Sequence, residues 1–255
     1  MTRAPARRIT PVSLAGICQR FGRKAVLRGL DLDLRAGEIV GLMGANGAGK
    51  TTLMSIIVGL LQPDEGERFF GGQPAPEVEL EIRARLAFVA HTTQLYAGLS
   101  ARENLELYAG LRRAAGLEVG ASEDALERFG LTSAADRLVG TFSRGMAQRL
   151  ALARALAATP ELLLLDEPFT ALDRHGRALL QEVLDEERAR GVAILVVSHE
   201  LETLTAVSDR VVLLDRGVIS HEVLRAEHPD QDSFRHSAAG LWGPRAQVAE
   251  TAPRP

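Results

Sequence analysis

A glycine-rich segment that ends in lysine and threonine constrains this chain more than any other feature. Residues 44–52 read Gly-Ala-Asn-Gly-Ala-Gly-Lys-Thr-Thr, which fits the phosphate-binding loop pattern. The apolar run at residues 38–43 is typical of a buried strand, and apolar residues after the loop recur at helical spacing. Strand, loop and helix therefore stand in the order that this pattern requires. The alternative, a glycine-rich turn that binds nothing, is disfavoured by this context.

Each residue type in the loop suits a triphosphate. Glycines permit left-handed backbone conformations, so N–H groups turn inward and approach phosphate oxygens. Lys50 brings a point charge to the β- and γ-phosphates, and Thr51 offers a hydroxyl to Mg²⁺. The helix that begins there points its positive end at the anion. The segment predicts an ATP site formed by Gly44, Asn46, Gly47, Ala48, Gly49, Lys50, Thr51 and Thr52.

Composition excludes several classes of protein. The net charge of −3 and the pI near 6.1 give no electrostatic footprint for nucleic acid, so we expect no nucleic-acid partner. No apolar run approaches the roughly 20 residues needed to cross a bilayer. If the protein serves a membrane process, another subunit must therefore span the membrane. The single cysteine, Cys18, excludes an internal disulfide and suits a reducing cytosol. Only two of the 30 basic residues are lysines, Lys24 and Lys50, so few lysines compete for phosphate.

Strand and helix patterns predict an α/β fold. Residues 12–40 alternate apolar runs with glycines, which indicates antiparallel strands leading into the phosphate loop. A helical block extends from Ser100, which forms a capping box with Glu103, to about residue 158. Strands then alternate with helices, as in a mostly parallel, covered sheet. We therefore expect a P-loop NTPase core with an N-terminal antiparallel β subdomain and an inserted helical subdomain at about 92–158.

Two carboxylates end an apolar strand in the second half of the chain. Residues 162–168 read Leu-Leu-Leu-Leu-Asp-Glu-Pro. A carboxylate at the end of a buried strand beside a phosphate loop can hold Mg²⁺ between the β- and γ-phosphates, and we assign this role to Asp166. Glu167 is then placed to polarise an attacking water. A plain strand-ending turn is the alternative, which the upstream phosphate loop disfavours.

Taken in order, these segments resemble the nucleotide-binding subunit of ABC transporters. The resemblance covers about residues 12–226. Its segments are the phosphate loop, residues 142–149 (Phe-Ser-Arg-Gly-Met-Ala-Gln-Arg), Asp166-Glu167, residues 171–173 (Ala-Leu-Asp) and Ser198-His199. It implies an ABC-type ATP-binding domain over residues 1–228, followed by a tail at 229–255 whose lack of periodicity predicts weak order. It also implies an ATPase on the cytoplasmic face of the cell membrane that works with transmembrane permease subunits.

The resemblance further implies that two chains sandwich two ATP molecules head to tail. Ser143 and Gly145 are then expected to approach the partner chain's nucleotide, and Asp173 belongs to the segment that contacts across the dimer. Ser143 is also a good N-cap for a helix over residues 144–158, whose start attracts anions. Outside this context, Ser143 and Asp173 are typical of ordinary helix caps.

Three further roles come from matching this chain to the family. Phe21 stands where an aromatic ring stacks on adenine, although an isolated phenylalanine is more often a core residue. His199 matches a histidine that contacts the γ-phosphate and helps to position water. His91 stands where the family places a glutamine that contacts Mg²⁺, and Gln94 is the alternative because an amide oxygen suits a hard cation better. The signature segment also departs from the family, with Arg144 and Met146 replacing glycine and glutamine.

The sequences of these segments resemble those of the ATPase of the haem exporter used in cytochrome c maturation. ATPases of drug, lipid and polysaccharide export carry similar segments. Residues 100–138, with the loop around His91, are expected to form the docking surface for the membrane subunit. Two other functions remain open: a soluble ABC-type ATPase in an assembly process such as iron–sulfur cluster formation, and a nucleotide-binding regulator. Intact Lys50, Asp166, Glu167 and His199 argue against the second.

Overall fold

Ten strands and eight α-helices are present in residues 8–241, the part of the chain that the computed structural model describes. The strands are β1 (Val12–Phe21), β2 (Lys24–Leu34), β3 (Ile39–Met43), β4 (Glu65–Phe70), β5 (Gln73–Pro74), β6 (Leu86–Val89), β7 (Leu162–Asp166), β8 (Ala193–Val197), β9 (Arg210–Asp215) and β10 (Val218–Leu224). The helices are α1 (Lys50–Ile57), α2 (Glu79–Arg85), α3 (Ala101–Ala114), α4 (Ser122–Arg128), α5 (Arg144–Leu156), α6 (Arg174–Ala189), α7 (Leu201–Val207) and α8 (Gln231–Leu241).

The larger sheet has six strands in the order β10-β9-β3-β8-β7-β6. All neighbouring pairs are parallel except β10 with β9. The parallel strands are linked through helices, as crossover connections require. The prediction of an α/β fold with a mostly parallel sheet is confirmed.

The smaller sheet is antiparallel, with the strand order β2-β1-β4-β5. β1 and β2 form the hairpin expected before the phosphate loop, and β4 pairs with the other side of β1. The two sheets meet where Arg28 N donates a hydrogen bond to Gly217 O at 2.9 Å. The hairpin also passes beside the phosphate loop, because a Cβ on Gly49 would lie 2.8 Å from the Leu27 side chain and 3.2 Å from the Val26 side chain.

Side chains of the central strands alternate between two hydrophobic clusters. In β7, Leu163 and Leu165 join one cluster, and Leu162 and Leu164 join the other. The same alternation holds in β3 and β8 because successive side chains of a strand point to opposite faces. One cluster lies toward α1 and the smaller sheet, and the other includes residues of α3, α4, α5 and α6. Covering both faces explains why these strands read as continuous apolar runs.

The inserted helices fall inside the predicted segment. α3 begins with the complete capping box: Ser100 Oγ accepts from Glu103 N, and the Glu103 carboxylate accepts from Ser100 N at 2.7 Å. The boundaries of this helical subdomain and of the ATP-binding domain stay predictions. Within residues 8–241, no helix is both long enough and apolar enough to cross a membrane.

The predicted weak order after residue 228 is wrong for α8. Phe234 in this helix is completely buried, and the Gln231 side chain donates a hydrogen bond to Thr205 O in α7. A single aromatic ring with one small apolar neighbour, Ala238, anchors the helix, so the segment shows little apolar periodicity in the sequence. The rest of the predicted tail, residues 242–255, lies outside the described residues.

Candidate functional site

An open groove of about 930 Å³ lies at the carboxyl ends of the parallel strands. The ends of β3, β6, β7 and β8 meet there because parallel strands present their carboxyl ends on one edge. Most of the predicted site residues line this groove: Phe21, Asn46, Gly47, Gly49, Lys50, Thr51, Thr52, His91, Asp166, Glu167 and His199. Residues from both halves of the chain thus share one site.

The phosphate loop wraps around its own lysine. Lys50 Nζ donates to Gly44 O at 2.6 Å and to Ala45 O at 3.2 Å. Gly49 has φ of 114° and caps α1, and a Cβ there would lie 2.8 Å from the Leu27 side chain. Only glycine suits such a backbone conformation and so close an approach. Gly44 and Ala48 belong to the loop but do not line the groove.

Burial disfavours the charged forms of Lys50 and Asp166. Desolvation lowers the pKa of Lys50, which Glu167 and Asp166 only partly offset. Desolvation and then the neighbouring Glu167 raise the pKa of Asp166, against the opposing effects of His91 and Lys50. The opposing effects of His91 and Lys50 do not cancel the rise in the pKa of Asp166. A bound cation would relieve this imbalance.

The oxygen atoms that line the groove suit a cation that is bound partly by the protein and partly by a phosphate ligand. Among residues 8–241, no group of three or more His, Cys, Asp and Glu side chains could hold a metal ion alone. Mg²⁺ usually takes one or two protein oxygens and completes its shell with water and phosphate. Asp166 and Thr51 both line the groove and offer oxygens of the kind that Mg²⁺ prefers.

The Glu167 carboxylate, just after the end of β7, contacts three polar side chains. Its Oε1 lies 3.0 Å from His199 Nδ1, and its Oε2 accepts from Ser198 Oγ at 3.2 Å and from Thr170 Oγ1 at 3.3 Å. Glu167 N donates to Val197 O at 2.9 Å, which ties β7 to β8 beyond their last paired residues. The side chain remains 15% exposed, so its carboxylate can reach water in the groove.

His91, and not Gln94, lies beside the carboxylates. His91 lines the groove, and its proximity to Asp166 opposes the rise in the pKa of that carboxyl. Gln94 lines a separate groove of about 380 Å³ between β6 and the inserted helices. There Gln94 O accepts from Arg154 Nη1 at 2.7 Å, which holds the loop in place.

Phe21 stands at the tip of the β1–β2 hairpin, where it pairs with Lys24. Its side chain is 54% exposed and lines the groove. The alternative interpretation of Phe21 as a core residue is therefore wrong. An exposed ring at the rim of the groove offers a π face to a planar ligand.

Ser143, Gly145 and Asp173 do not line this groove. Ser143 Oγ caps α5 by accepting from Met146 N at 3.2 Å, and Asp173 Oδ1 caps α6 by accepting from Gly176 N at 2.8 Å. A Cβ on Gly145 would lie 2.8 Å from Ala171 O, so packing within the chain already requires glycine. A single chain does not bring these residues to its own groove.

Several lining residues escaped the sequence reasoning. They are Lys24, Val26, Ser55, Phe88, Ala90, Thr92 and Thr170. The rarity of lysine was a signal for Lys24, which is the second of only two in the chain. Thr170 follows Glu167 by three residues and turns back onto its carboxylate, which only the loop conformation reveals.

The sequence of this chain is similar to the sequences of ATP-binding proteins of ABC transporters. The model of the ABC transporter family matches residues 27–170. The chain is 38% identical over 213 residues to the Nod factor export ATP-binding protein I of Burkholderia lata, covering 82% of this chain and 69% of that protein. It is 36% identical over 251 residues to an aliphatic sulfonates import ATP-binding protein of Pseudomonas savastanoi pv. phaseolicola, covering 95% and 87%.

Solved structures agree with these sequence matches. The structure of the ATP-binding subunit of an ABC transporter superposes with a TM-score of 0.78 at 28% identity, covering 95% of this chain and all of that one. A dimeric ATP-binding cassette in a post-hydrolysis state, bound to ADP and Pi, superposes with a TM-score of 0.71 at 28% identity, covering 84% and 98%.

Proposed function

The chain belongs to the ABC transporter family as an ATP-binding subunit with ATPase activity, and on that premise we propose how its groove handles the nucleotide. The observation that carries the proposal is the convergence of Lys50, Asp166, Glu167 and His199 on one edge of the parallel sheet. These groups come from the ends of three strands. Their joint placement supplies a phosphate cradle, a metal ligand and a water-activating carboxylate.

Phosphate binding falls to the loop and the first turn of α1. Lys50 exchanges its two carbonyl acceptors for β- and γ-phosphate oxygens, and the loop N–H groups point at the same anion. Thr51 and Asp166 would hold Mg²⁺ through side-chain oxygens, and His91, which also lines the groove, would contact the ion as the third residue of the site. When bound, Mg²⁺ neutralises charge on the β- and γ-phosphate oxygens. Phe21 stacks on the adenine ring at the rim.

Hydrolysis depends on Glu167 and His199. Glu167 orients and polarises the attacking water, because its carboxylate faces the groove and is anchored by neighbouring hydroxyls. The 3.0 Å contact with Glu167 orients the His199 ring. We assign the other ring nitrogen of His199 to the γ-phosphate. Catalysis is then a matter of positioning and charge stabilisation. Release of inorganic phosphate from ATP that requires Mg²⁺ would support this proposal. ATP binding without phosphate release would support the alternative of a nucleotide-binding regulator.

The second half of each site comes from another copy of the chain. Ser143, Gly145 and Asp173 lie outside their own groove, and the start of α5 offers backbone N–H groups to an anion. A similar cassette of known structure is a dimer. We assign these three residues to the partner's ATP, in a homodimer that forms when ATP is bound.

The smaller groove is assigned to the permease subunits. It lies between β6, α3 and α5, next to the His91 loop, and three exposed apolar residues line it: Tyr96, Leu107 and Leu111. Docking there places the chain on the cytoplasmic face of the cell membrane. Copurification decides between the two classes of function: a stable complex with a polytopic membrane protein supports transport, and an exclusively soluble partner supports an assembly ATPase.

Haem export remains our proposal for the cargo. Its support is the His91 substitution together with the Phe-Ser-Arg-Gly-Met form of residues 142–146. The names of the compared relatives refer to Nod factor export and aliphatic sulfonate import, so both directions occur among proteins similar to this one. Loss of haem-containing cytochrome c in a strain that carries the Glu167→Gln variant would support haem export. Normal cytochrome c in that strain would exclude it.

A further inference from the structure

We propose that the ion pair between Arg177 and Glu200 is a positioning device that holds His199 against Glu167 and links it to the helix that begins at Asp173. The proposal rests on the function assigned above to Glu167 and His199. Neither Arg177 nor Glu200 lines the groove, so both act through other residues.

The ion pair is a fork with two contacts. Arg177 Nη1 donates to Glu200 Oε2 at 2.7 Å, and Arg177 Nη2 donates to Glu200 Oε1 at 3.2 Å. Thr203 Oγ1 donates to Glu200 Oε2 at 2.7 Å and accepts from Arg177 Nη1 at 3.2 Å. Two-point contacts of this kind fix orientation as well as distance. These hydrogen bonds lower the pKa of Glu200 to about 2, so the carboxylate stays ionised at any pH at which the protein works.

The fork fixes the segment that carries His199. Glu200 is the N-cap residue of α7 and follows His199 directly, and its backbone N donates to Ser198 Oγ at 3.1 Å. The same Ser198 hydroxyl donates to Glu167 Oε2. His199 therefore lies between two anchored neighbours in the chain: Ser198 bonds to Glu167, and Glu200 is held by Arg177 and Thr203.

Arg177, the other member of the ion pair, belongs to α6. Arg177 N donates to Asp173 O at 2.9 Å in the first turn of this helix. A displacement of α6 when Asp173 meets the partner chain would thus pass through Arg177 to the His199 segment. Such a chain of contacts is a physical route for coupling between the dimer interface and the γ-phosphate site.

The test compares two arginines of α6. Arg188→Gln is the matched control, because Arg188 has the same 37% side-chain exposure as Arg177 and also pairs with carboxylates, Asp185 and Asp209. We expect Arg177→Gln to lower kcat about 10- to 100-fold, since misplacement of a catalytic group by about 1 Å has effects of that size. The KM for ATP should change less than about twofold because the phosphate loop is untouched. Arg188→Gln should leave kcat within about twofold of wild type.

Two further variants test the pairing itself. The Arg177→Gln/Glu200→Gln double variant should cost no more in kcat than the worse single variant, and the swap Arg177→Glu/Glu200→Arg should recover part of the loss. Arg177→Lys should fall between wild type and Arg177→Gln, because lysine is a single point charge without the fork. Additive losses, or a raised KM with wild-type kcat, would overturn the proposal.

Glu167→Gln, measured in parallel, separates this inference from the assigned function. If Glu167→Gln is inactive while Arg177→Gln matches Arg188→Gln, only the positioning pair is wrong. If Glu167→Gln hydrolyses ATP at the wild-type rate, the assignment of the groove itself fails, whatever the arginine variants do.

Discussion

Glu167 occupies a backbone conformation that glutamate seldom adopts, with φ of 52°. Left-handed residues other than glycine cost on the order of 1–3 kcal/mol and persist only where the surroundings fix them. Here the surroundings are the hydrogen bond from Glu167 N to Val197 O and the three side-chain contacts of the carboxylate. The conformation turns the carboxylate out of the β7 strand direction and into the groove.

Replacement of this carboxylate by an amide is the most direct test at the residue scale. Glu167→Gln keeps the size of the side chain and its contact with Ser198, but an amide cannot polarise water as a carboxylate does. We expect ATP binding to persist, phosphate release to fall roughly 100-fold or more, and the ATP-bound dimer to accumulate. Phosphate release and size-exclusion chromatography with ATP measure the two effects. Glu186→Gln on α6 is the matched control, and unchanged turnover in Glu167→Gln would falsify its role.

Asp166 predicts a trade-off between stability and function. Its folded pKa is raised by burial and by Glu167, so folding disfavours the ionised form. The penalty is absent below the unfolded pKa, grows as pH rises toward the folded pKa, and stays in full above it. Asp166→Asn, without nucleotide, should therefore unfold at a higher temperature than wild type at pH 7, with the difference vanishing near pH 3. Thermal unfolding across this range measures it, and a destabilised variant at pH 7 would contradict the reasoning.

At the scale of elements, features with a local sequence pattern were predicted well and contacts between elements were not. β7 was predicted because a short run of four leucines that ends at a turn is typical of a strand covered on both faces. The start of α3 was predicted because the Ser100 capping box is a local interaction. Lys50, Asp166, Glu167 and His199 were grouped because their spacing resembled a family. The fork between Arg177 and Glu200 joins two helices and has no local signature.

α8 shows the limit of periodicity as a guide. The helix packs beside α7 and β10, and its buried Phe234 ring lies 5.9 Å from the His228 ring. Phe234→Ala should lower the free energy of unfolding by about 3 kcal/mol or more, as for other buried rings. Chemical denaturation measures this loss. Leu80→Ala is the control: Leu80 is 81% exposed, so its removal should change stability by less than about 0.5 kcal/mol.

At the scale of the whole molecule, the residues that we assign to ATP lie in two separate places. The phosphate loop, Asp166, Glu167 and His199 share one groove, whereas Ser143 and Gly145 stand at the start of α5, outside it. In a head-to-tail dimer each ATP would need Lys50 of one chain and Ser143 of the other. Lys50→Ala alone should therefore abolish ATP-driven dimerisation as well as hydrolysis. Persistent pairing of that variant with ATP would count against a shared site.

Mixing two inactive variants tests this division directly. Ser143→Asp keeps a good N-cap for α5 but places a negative charge beside the partner's phosphates. A mixed dimer of Lys50→Ala and Ser143→Asp has one intact site, formed by Lys50 of the second chain and Ser143 of the first. One of the two sites in a mixed dimer is intact. An equimolar mixture should therefore recover about a quarter of wild-type hydrolysis if the chains pair at random, and up to about half if only mixed dimers form, while each variant alone recovers none. Lys50→Ala mixed with Glu167→Gln is the control, because Lys50 and Glu167 belong to the same groove and every site in that mixture stays broken. No recovery in the first mixture would show that each chain completes its ATP site by itself. Recovery in the control mixture would show that Lys50 and Glu167 do not serve the same ATP.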